Sequence, residues 1–318
     1  MSIRPIKRVV HAKPTIEGAG VRLQRGFGFG DTEDFDPFLL FDDFRNDSPE
    51  DYLAGFPWHP HRGIETITYV LAGTVDHGDS LGNKGSLASG DVQWMTAGSG
   101  IMHQEMPKGD PQGRMHGFQL WANLPASLKM TTPRYQDIHA KDIPEVTDDD
   151  GTRVRIVCGS FWGKTGPVEG VAADPRYLDV SVPPGRRKRL AVDTSNHAFA
   201  YVFAGSGSFR DASPPRSVET ESVGVSGQTL GVNAGGAPGT TTSAASGKGE
   251  VGNRSLVVFD SGDEVVVQAG DEGIRFLLVS GKPIEEPVAW YGPIVMNTQE
   301  ELRRAFRELQ SGTFIKHP

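Results

Sequence analysis

The chain has 318 residues, with 40 glycines, 22 prolines and a single cysteine, and its formal net charge is -8. Acidic surplus repels a phosphate backbone, so direct nucleic-acid binding is not expected. The sequence has neither the roughly 20 apolar residues that cross a bilayer nor the apolar run of a signal peptide, so we expect a cytoplasmic protein without membrane attachment. The lone Cys158 excludes an intrachain disulfide.

Frequent glycine and proline, with few helical periods, are typical of an all-β protein in which many turns join short strands. Apolar runs and alternation predict strands at 65–71, 91–96, 117–122, 154–158, 177–182, 199–203, 265–268 and 274–279. A helix is predicted at 299–309, because Thr298 and Glu301 form a capping-box pattern and Gly312 follows its end. Its apolar stripe requires a packing surface, for which we expect a barrel wall.

Two segments of the chain recur in the same order, which indicates an internal duplication. The sequence TYVLAG at 68–73 returns as AYVFAG at 200–205, and SGD at 89–91 returns at 261–263. The second copy is longer because of a Gly/Ser/Thr-rich insert at about 211–253. This insert has too few large apolar side chains to form a core, so we predict a flexible surface loop.

Two pairs of metal-capable side chains lie in the first copy, His59 with His61 and His103 with Glu105. In a strand, positions i and i+2 share one face, so two adjacent strands could direct four ligands at one point. Such N and O ligands suit Fe, Mn, Ni, Cu or Zn, and an octahedral ion would keep two positions open for chemistry. The corresponding positions of the second copy lie near Ala191, Asp193, Arg275 and Leu277, so we predict one metal centre.

The neighbours of these pairs give further expectations. Pro60 cannot donate to a sheet ladder, which places its segment at a strand start or sheet edge near a barrel mouth. Glu65 is interpreted either as a fifth ligand or, preferably, as an acceptor that orients a histidine from behind the ligand shell. His77 and His116 each stand alone in their segments and are interpreted as turn or sheet-surface residues.

Six motifs make the chain resemble the pirin family of the cupin superfamily over nearly its whole length. They are DPFLLFDDF at 36–44, HPHRGIET at 59–66, GDVQWMTAG at 90–98, HQEMP at 103–107, QLW at 119–121 and YGPIVMNT at 291–298. The resemblance implies two tandem cupin (jelly-roll-like) β-barrels with a short C-terminal helix. It implies a metal-binding N-terminal barrel at 1–135, a C-terminal barrel without ligands at 150–290, and a terminal segment with the helix at 291–318.

The resemblance also implies that His59, His61, His103 and Glu105 hold one divalent ion, usually Fe(II). It implies two different functions. One is an oxidoreductase, quercetin 2,3-dioxygenase (quercetinase), in which a flavonol chelates the metal, Glu105 accepts its hydroxyl proton, and O2 opens the ring. The other is a metal-dependent, redox-sensing module that binds a protein partner such as a transcription factor or metabolic enzyme. We expect the dioxygenase, while the physiological substrate, the native metal and the oligomeric state stay open.

Overall fold

The computed structural model describes residues 1–210 and 249–317, so most of the predicted 211–253 insert lies outside the described residues. The first half contains the strands β1 (Ile6–His11), β2 (Lys13–Glu17), β3 (Val21–Phe27), β4 (Phe38–Asp43), β5 (Phe56–His61), β6 (Ile64–Ala72), β7 (Thr74–Asp79), β8 (Lys84–Leu87), β9 (Val92–Thr96), β10 (Ile101–Lys108), β11 (His116–Asn123) and β12 (Arg134–Ile138). A four-residue helix α1 (Thr32–Phe35) precedes β4.

The second half contains the strands β13 (Glu145–Thr147), β14 (Arg153–Cys158), β15 (Ser160–Phe161), β16 (Lys164–Thr165), β17 (Arg176–Val182), β18 (Arg187–Ala191), β19 (His197–Phe209), β20 (Val251–Gly252), β21 (Ser255–Phe259), β22 (Glu264–Gly281), β23 (Ala289–Tyr291) and β24 (Ile294–Met296). The helix α2 (Gln299–Gln310) follows, and short 3-10 turns lie at Pro49–Asp51, Ala126–Leu128 and Ala140–Asp142. The predicted strands are present, and 265–268 and 274–279 are joined in the single long strand β22. The prediction of an all-β chain with two tandem barrels and a short C-terminal helix is confirmed.

The first barrel is built from two sheets that enclose a cavity. One sheet has seven strands in the order β12-β9-β6-β11-β4-β3-β2, and the other has four in the order β5-β10-β7-β8. Both faces of the seven-stranded sheet are covered. Along β6, Ile67 and Tyr69 belong to a large core outside the barrel, while Thr68 between them lines the cavity inside.

The second barrel has one continuous sheet, in the order β1-β21-β19-β22-β17-β14-β13, with β18 added beside β22. The long strands β19 and β22 bend across register shifts at Val202/Ala204 and Gly205/Gly207, so each serves two layers. Apolar side chains fill its interior, including Val180, Val202 and Phe276. The first barrel therefore holds a cavity where the second holds a packed core.

The two barrels pack sheet against sheet through an aromatic core. The Phe199 ring of the second barrel lies against four rings of the first half at centroid distances of 5.3 to 6.0 Å, namely those of Phe27, Phe35, Phe38 and Phe41. Two tyrosines at equivalent repeat positions cross this interface in opposite directions. Tyr69 donates to Asp179 of the second barrel at 2.8 Å, and Tyr201 donates to Asp43 of the first at 2.7 Å. The duplication has therefore produced an approximately two-fold interface.

Both ends of the chain cross between the halves. The first strand, β1, pairs with β21 in the sheet of the second barrel, although the predicted domain boundary assigns residues 1–135 to the first. The predicted boundaries otherwise stay a prediction.

The capping box of Thr298 and Glu301 is present, but α2 packs on the β23-β24 hairpin rather than directly on a barrel wall. Among the described residues no helix is long and apolar enough to cross a bilayer, and the cytoplasmic location stays a prediction.

Candidate metal centre

Strands β5 and β10 bring the two predicted ligand pairs together. They pair antiparallel with His59 directly opposite His103, and β5 forms the edge of its four-stranded sheet, as Pro60 requires. His61 and His103 are 2% and 1% exposed, whereas His59 is half-buried at the cavity side. The spacing argument thus predicted both the meeting of the strands and their position in the sheet.

The three imidazoles form a compact cluster. One ring nitrogen of each histidine lies within 4.8 Å of the corresponding nitrogens of the other two. Within the part of the chain that the structure describes, these three histidines form the one group of metal-capable side chains. The ring centroids of His59 and His103 are 4.3 Å apart, and those of His61 and His103 are 4.9 Å apart. Within residues 1–210 and 249–317, the second barrel contributes no such group.

Backbone carbonyls fix which nitrogens face the centre of the cluster. His59 Nδ1 lies 2.9 Å from the Pro57 carbonyl and His61 Nδ1 lies 3.3 Å from the Pro293 carbonyl. A carbonyl only accepts, so each Nδ1 carries the proton and donates it, which leaves both Nε2 atoms as acceptors. These two Nε2 atoms are 3.0 Å apart, so two lone pairs face each other without a proton between them. Such an arrangement is stabilised by a cation.

His103 completes this picture because neither of its buried ring nitrogens has a hydrogen-bond partner. Burial lowers the pKa of His59 and holds the pKa values of His61 and His103 well below the usual range, so all three imidazoles are neutral near pH 7. Neutral imidazoles with free lone pairs are metal ligands. The buried, unpartnered nitrogens therefore fit a metal ion.

Glu105 lies on the same strand as His103 and lines the same cavity, but its carboxylate is outside the three-histidine cluster. Thr68 Oγ1 lies 3.2 Å from Glu105 Oε1 and 2.8 Å from Gln119 Oε1, and its single hydroxyl proton is donated to one of these two acceptors at a time. Burial raises the pKa of Glu105 to about 7, and the Thr68 hydrogen bond only partly offsets that rise. Its part in metal binding stays a prediction.

Glu65 lies near the start of β6. Its buried carboxylate accepts hydrogen bonds from Trp94 Nε1 at 3.0 Å and Thr96 Oγ1 at 2.7 Å, and burial raises its pKa. It shares a face of β6 with Ile67 and Tyr69, which point toward the second barrel rather than into the cavity. These hydrogen bonds come from Trp94 and Thr96, and the role of Glu65 in orienting a ligand histidine stays a prediction.

The two remaining histidines of this half also differ from each other. His116 is partly exposed and pairs with Asp47 at 2.6 Å, in line with a surface position. His77, interpreted from sequence as a surface residue, is only 7% exposed and lies opposite Glu105 in the β7-β10 ladder. Gln93 donates to its Nε2 at 3.0 Å. Alternation along β7 could have indicated its inward direction, since Val75 and Asp79 share that face.

A cavity of about 720 Å³ adjoins the cluster. A series of aromatic rings extends from the histidines to the mouth of this cavity. The distances between ring centroids are 5.1 Å from His61 to Trp121, 6.1 Å from Trp121 to Trp290 and 5.5 Å from Trp290 to Phe29. Trp290 belongs to the C-terminal hairpin, so this segment forms part of the cavity wall. Planar aromatic molecules match a cavity lined in this way.

Several polar side chains of the cavity wall were not identified from the sequence as site candidates, among them Arg25, Asp42, Thr68 and Gln119. Thr68 and Gln119 each stand between apolar neighbours in a strand, a pattern that equally describes solvent-facing positions. Gln119, for example, lies between the buried Phe118 and Leu120. The alternation identifies two faces but does not say which of them is the interior.

Comparison with known proteins gives consistent matches over the whole chain. The Pirin family profile matches residues 20–122, and the profile of the Pirin C-terminal cupin domain matches residues 238–315. A pirin-like protein of Caulobacter vibrioides is 42% identical over 315 residues, which is 99% of this chain and 100% of that protein.

Two solved structures are also similar. Quercetin 2,3-dioxygenase from Acinetobacter baumannii is 27% identical with a TM-score of 0.81, and the match covers 98% of this chain and 99% of that one. A Geobacillus kaustophilus protein is 31% identical with a TM-score of 0.69, covering 91% of this chain and 100% of that one.

Proposed function

The chain belongs to the pirin family, and we propose that it is a mononuclear non-haem metal dioxygenase that cleaves a flavonol such as quercetin with O2. The observation that carries the proposal is the convergence of unprotonated imidazole nitrogens at the end of a large aromatic cavity. A structural relative at 27% identity is a quercetin 2,3-dioxygenase, which supports the same reaction.

The proposed ligands of the metal ion are His59, His61, His103 and Glu105, with Fe(II) as the metal. The histidines present free, neutral nitrogens, and Glu105 follows His103 by two positions on β10 and faces the same cavity. When bound, the ion would supply a site where a chelating flavonol and O2 meet and would lower the pKa of the flavonol hydroxyl.

Glu105 is the proposed acceptor of the flavonol hydroxyl proton. Thr68 donates to its Oε1, which leaves Oε2 available to take a proton from the substrate. Burial raises the pKa of Glu105, which favours its protonated form and so assists transfer of the substrate proton to this carboxylate. Thr68 Oγ1 also lies 2.8 Å from Gln119 Oε1, which competes with Glu105 for the single hydroxyl proton.

The walls of the cavity have a separate task, which is to exclude water and hold a flat ligand. Leu40 and Trp121 lie opposite each other on β4 and β11, and Trp290 of the C-terminal hairpin packs against them. Aromatic and aliphatic side chains favour stacking of a planar substrate and lower the local dielectric around the reacting groups.

The test is aerobic incubation of iron-loaded protein with quercetin, following O2 uptake and loss of the flavonol absorption band. His103→Ala should abolish both, because it removes one of three clustered imidazoles. His116→Ala is the matched control, since it removes a histidine that pairs with Asp47 outside the cluster, and it should keep both activities. Wild-type protein with full iron occupancy and no turnover would contradict the enzyme and favour the redox-sensing module.

A further inference from the structure

A row of polar side chains crosses the inner wall of the first barrel at right angles to its strands. The sheet register places Thr68 opposite Gln119, Gln119 opposite Asp42, and Asp42 opposite Arg25. Side chains that are directly opposite in a sheet share a face, and all four of these line the cavity. The row begins beside Glu105, to which Thr68 donates, and ends at Arg25.

The row stands out against the rest of the wall. Two residues away along the same strands the cavity is lined by apolar side chains, namely Leu23, Leu40, Phe44 and Trp121. Arg25 donates to Asp42 through Nε at 2.8 Å and Nη2 at 2.7 Å, and its Nη1 lies 2.9 Å from Glu17. Burial raises the pKa of Asp42 to about 6, although these hydrogen bonds oppose the rise. An ion pair in such a wall costs desolvation energy that apolar side chains would avoid.

Part of the hydrogen-bonding capacity of this row is unused. A guanidinium has five N–H donors, and Arg25 uses three of them on Asp42 and Glu17. The Gln119 carbonyl accepts from Thr68, while its amide nitrogen donates to no protein group within residues 1–210 and 249–317. Donors directed into an apolar cavity fix the orientation of a ligand that carries matching oxygen atoms.

We propose that Gln119 and the Arg25–Asp42 pair form a second polar anchor, which binds a phenolic hydroxyl of an aromatic substrate whose chelating group lies at the histidine cluster. The inference rests on the proposed function and specifies its substrate class. The substrate is a polyhydroxylated flavonol, with oxygen groups both at the chelating position and on an outer ring. A flavonol without outer-ring hydroxyls makes only the first of these interactions.

The test measures binding without turnover, using iron-loaded protein under anaerobic conditions and the shift of the flavonol absorption band. The two probes are quercetin and 3-hydroxyflavone, which keeps the chelating hydroxyl and carbonyl but lacks the outer hydroxyls. Wild-type protein should bind quercetin at least about tenfold more tightly, as a hydrogen bond to a charged group contributes on that order.

The variant Arg25→Met/Asp42→Leu should lose that preference while its affinity for 3-hydroxyflavone stays unchanged. Replacing both partners leaves no unpaired buried charge, so the barrel should fold. Gln119→Met is a second, milder variant that should lower quercetin affinity severalfold. Arg22→Met is the matched control, because Arg22 lies on the same strand but is exposed and pairs with Asp51.

The outcomes separate the two proposals. Equal binding of both flavonols by wild-type protein, or a quercetin preference that survives in the double variant, overturns the polar anchor and leaves the dioxygenase proposal standing. Absence of binding of either flavonol at full iron occupancy overturns the dioxygenase proposal and the anchor with it. Loss of the preference in both cavity variants and its retention in Arg22→Met supports the anchor.

Discussion

Arg62 joins the strand that carries two of the histidines to the C-terminal segment, and its replacement should destabilise the first barrel strongly. The side chain is 2% exposed. Its Nε donates to the Ser99 carbonyl at 2.6 Å, Nη1 to Glu308 at 2.8 Å, and Nη2 to the Phe314 carbonyl at 2.7 Å. The guanidinium also lies 4.1 Å from the centre of the Phe314 ring.

Arg62→Met removes all three hydrogen bonds and leaves two carbonyls without a donor. Breaking a buried, hydrogen-bonded ion pair costs about 3 to 5 kcal/mol, and we expect this range for the free energy of unfolding. Arg304→Met is the matched control, because Arg304 pairs with the same Glu308 but is 73% exposed. An exposed pair of this kind contributes roughly 0 to 1 kcal/mol.

Urea titration followed by tryptophan fluorescence measures both variants against wild type. A second readout is metal affinity, since the Pro293 carbonyl that accepts from His61 belongs to the segment held by Arg62. Arg62→Met should weaken metal binding and Arg304→Met should not. A loss of less than about 1 kcal/mol in Arg62→Met, within the range of the exposed control, would refute the reasoning.

Three further predictions concern packing and pH. Phe199→Ala should lower the free energy of unfolding, measured by thermal or urea unfolding, by about 3 to 5 kcal/mol, because it empties the centre of the aromatic interface. Phe29→Ala, at the exposed mouth of the cavity, should change it by less than about 1 kcal/mol. Burial lowers the pKa of Lys129 from 10.5 to about 7, so between these two pH values the unfolded chain binds more protons than the folded chain. The free energy of unfolding of wild type, relative to that of Lys129→Met, should therefore rise between about pH 7 and 10.5. A difference that does not change with pH would contradict this. Burial alone would raise the pKa of Glu308, but hydrogen bonds from Lys316, Arg62 and Arg304 lower it to about 2. Its contribution is therefore complete above pH 4.5 and lost toward pH 2, and an acid titration of Glu308→Gln should lack that loss.

The sequence was sufficient where local spacing determines the structure. His59 and His61 share a face because they are two positions apart in the strand β5, and Pro60 between them is compatible with the edge position of that strand. The helix cap at Thr298 likewise depends only on Glu301, three positions later. It was insufficient where both faces of a strand are buried. Glu65 and Thr68 lie on the same strand, one against the second barrel and one in the cavity, and alternation alone does not distinguish these two interiors.

Long-range pairing explains the other differences. The strand β1 crosses to the second barrel, and its pairing with β21 joins residues about 250 positions apart, which no local pattern reports. The polar row has the same origin, since Arg25, Asp42, Gln119 and Thr68 come from four strands and become neighbours only through the sheet register.

The crossed tyrosines of the barrel interface have a consequence for how the two halves can change. In a symmetric homodimer a single mutation appears on both sides of the interface, so Tyr69 and Tyr201 would have to change together. Here each is encoded separately, and the tether keeps the partners at a high effective concentration that dilution does not reduce. One half is therefore free to fill its interior with apolar side chains while the other keeps the histidines, without the loss of assembly that subunit dissociation would bring.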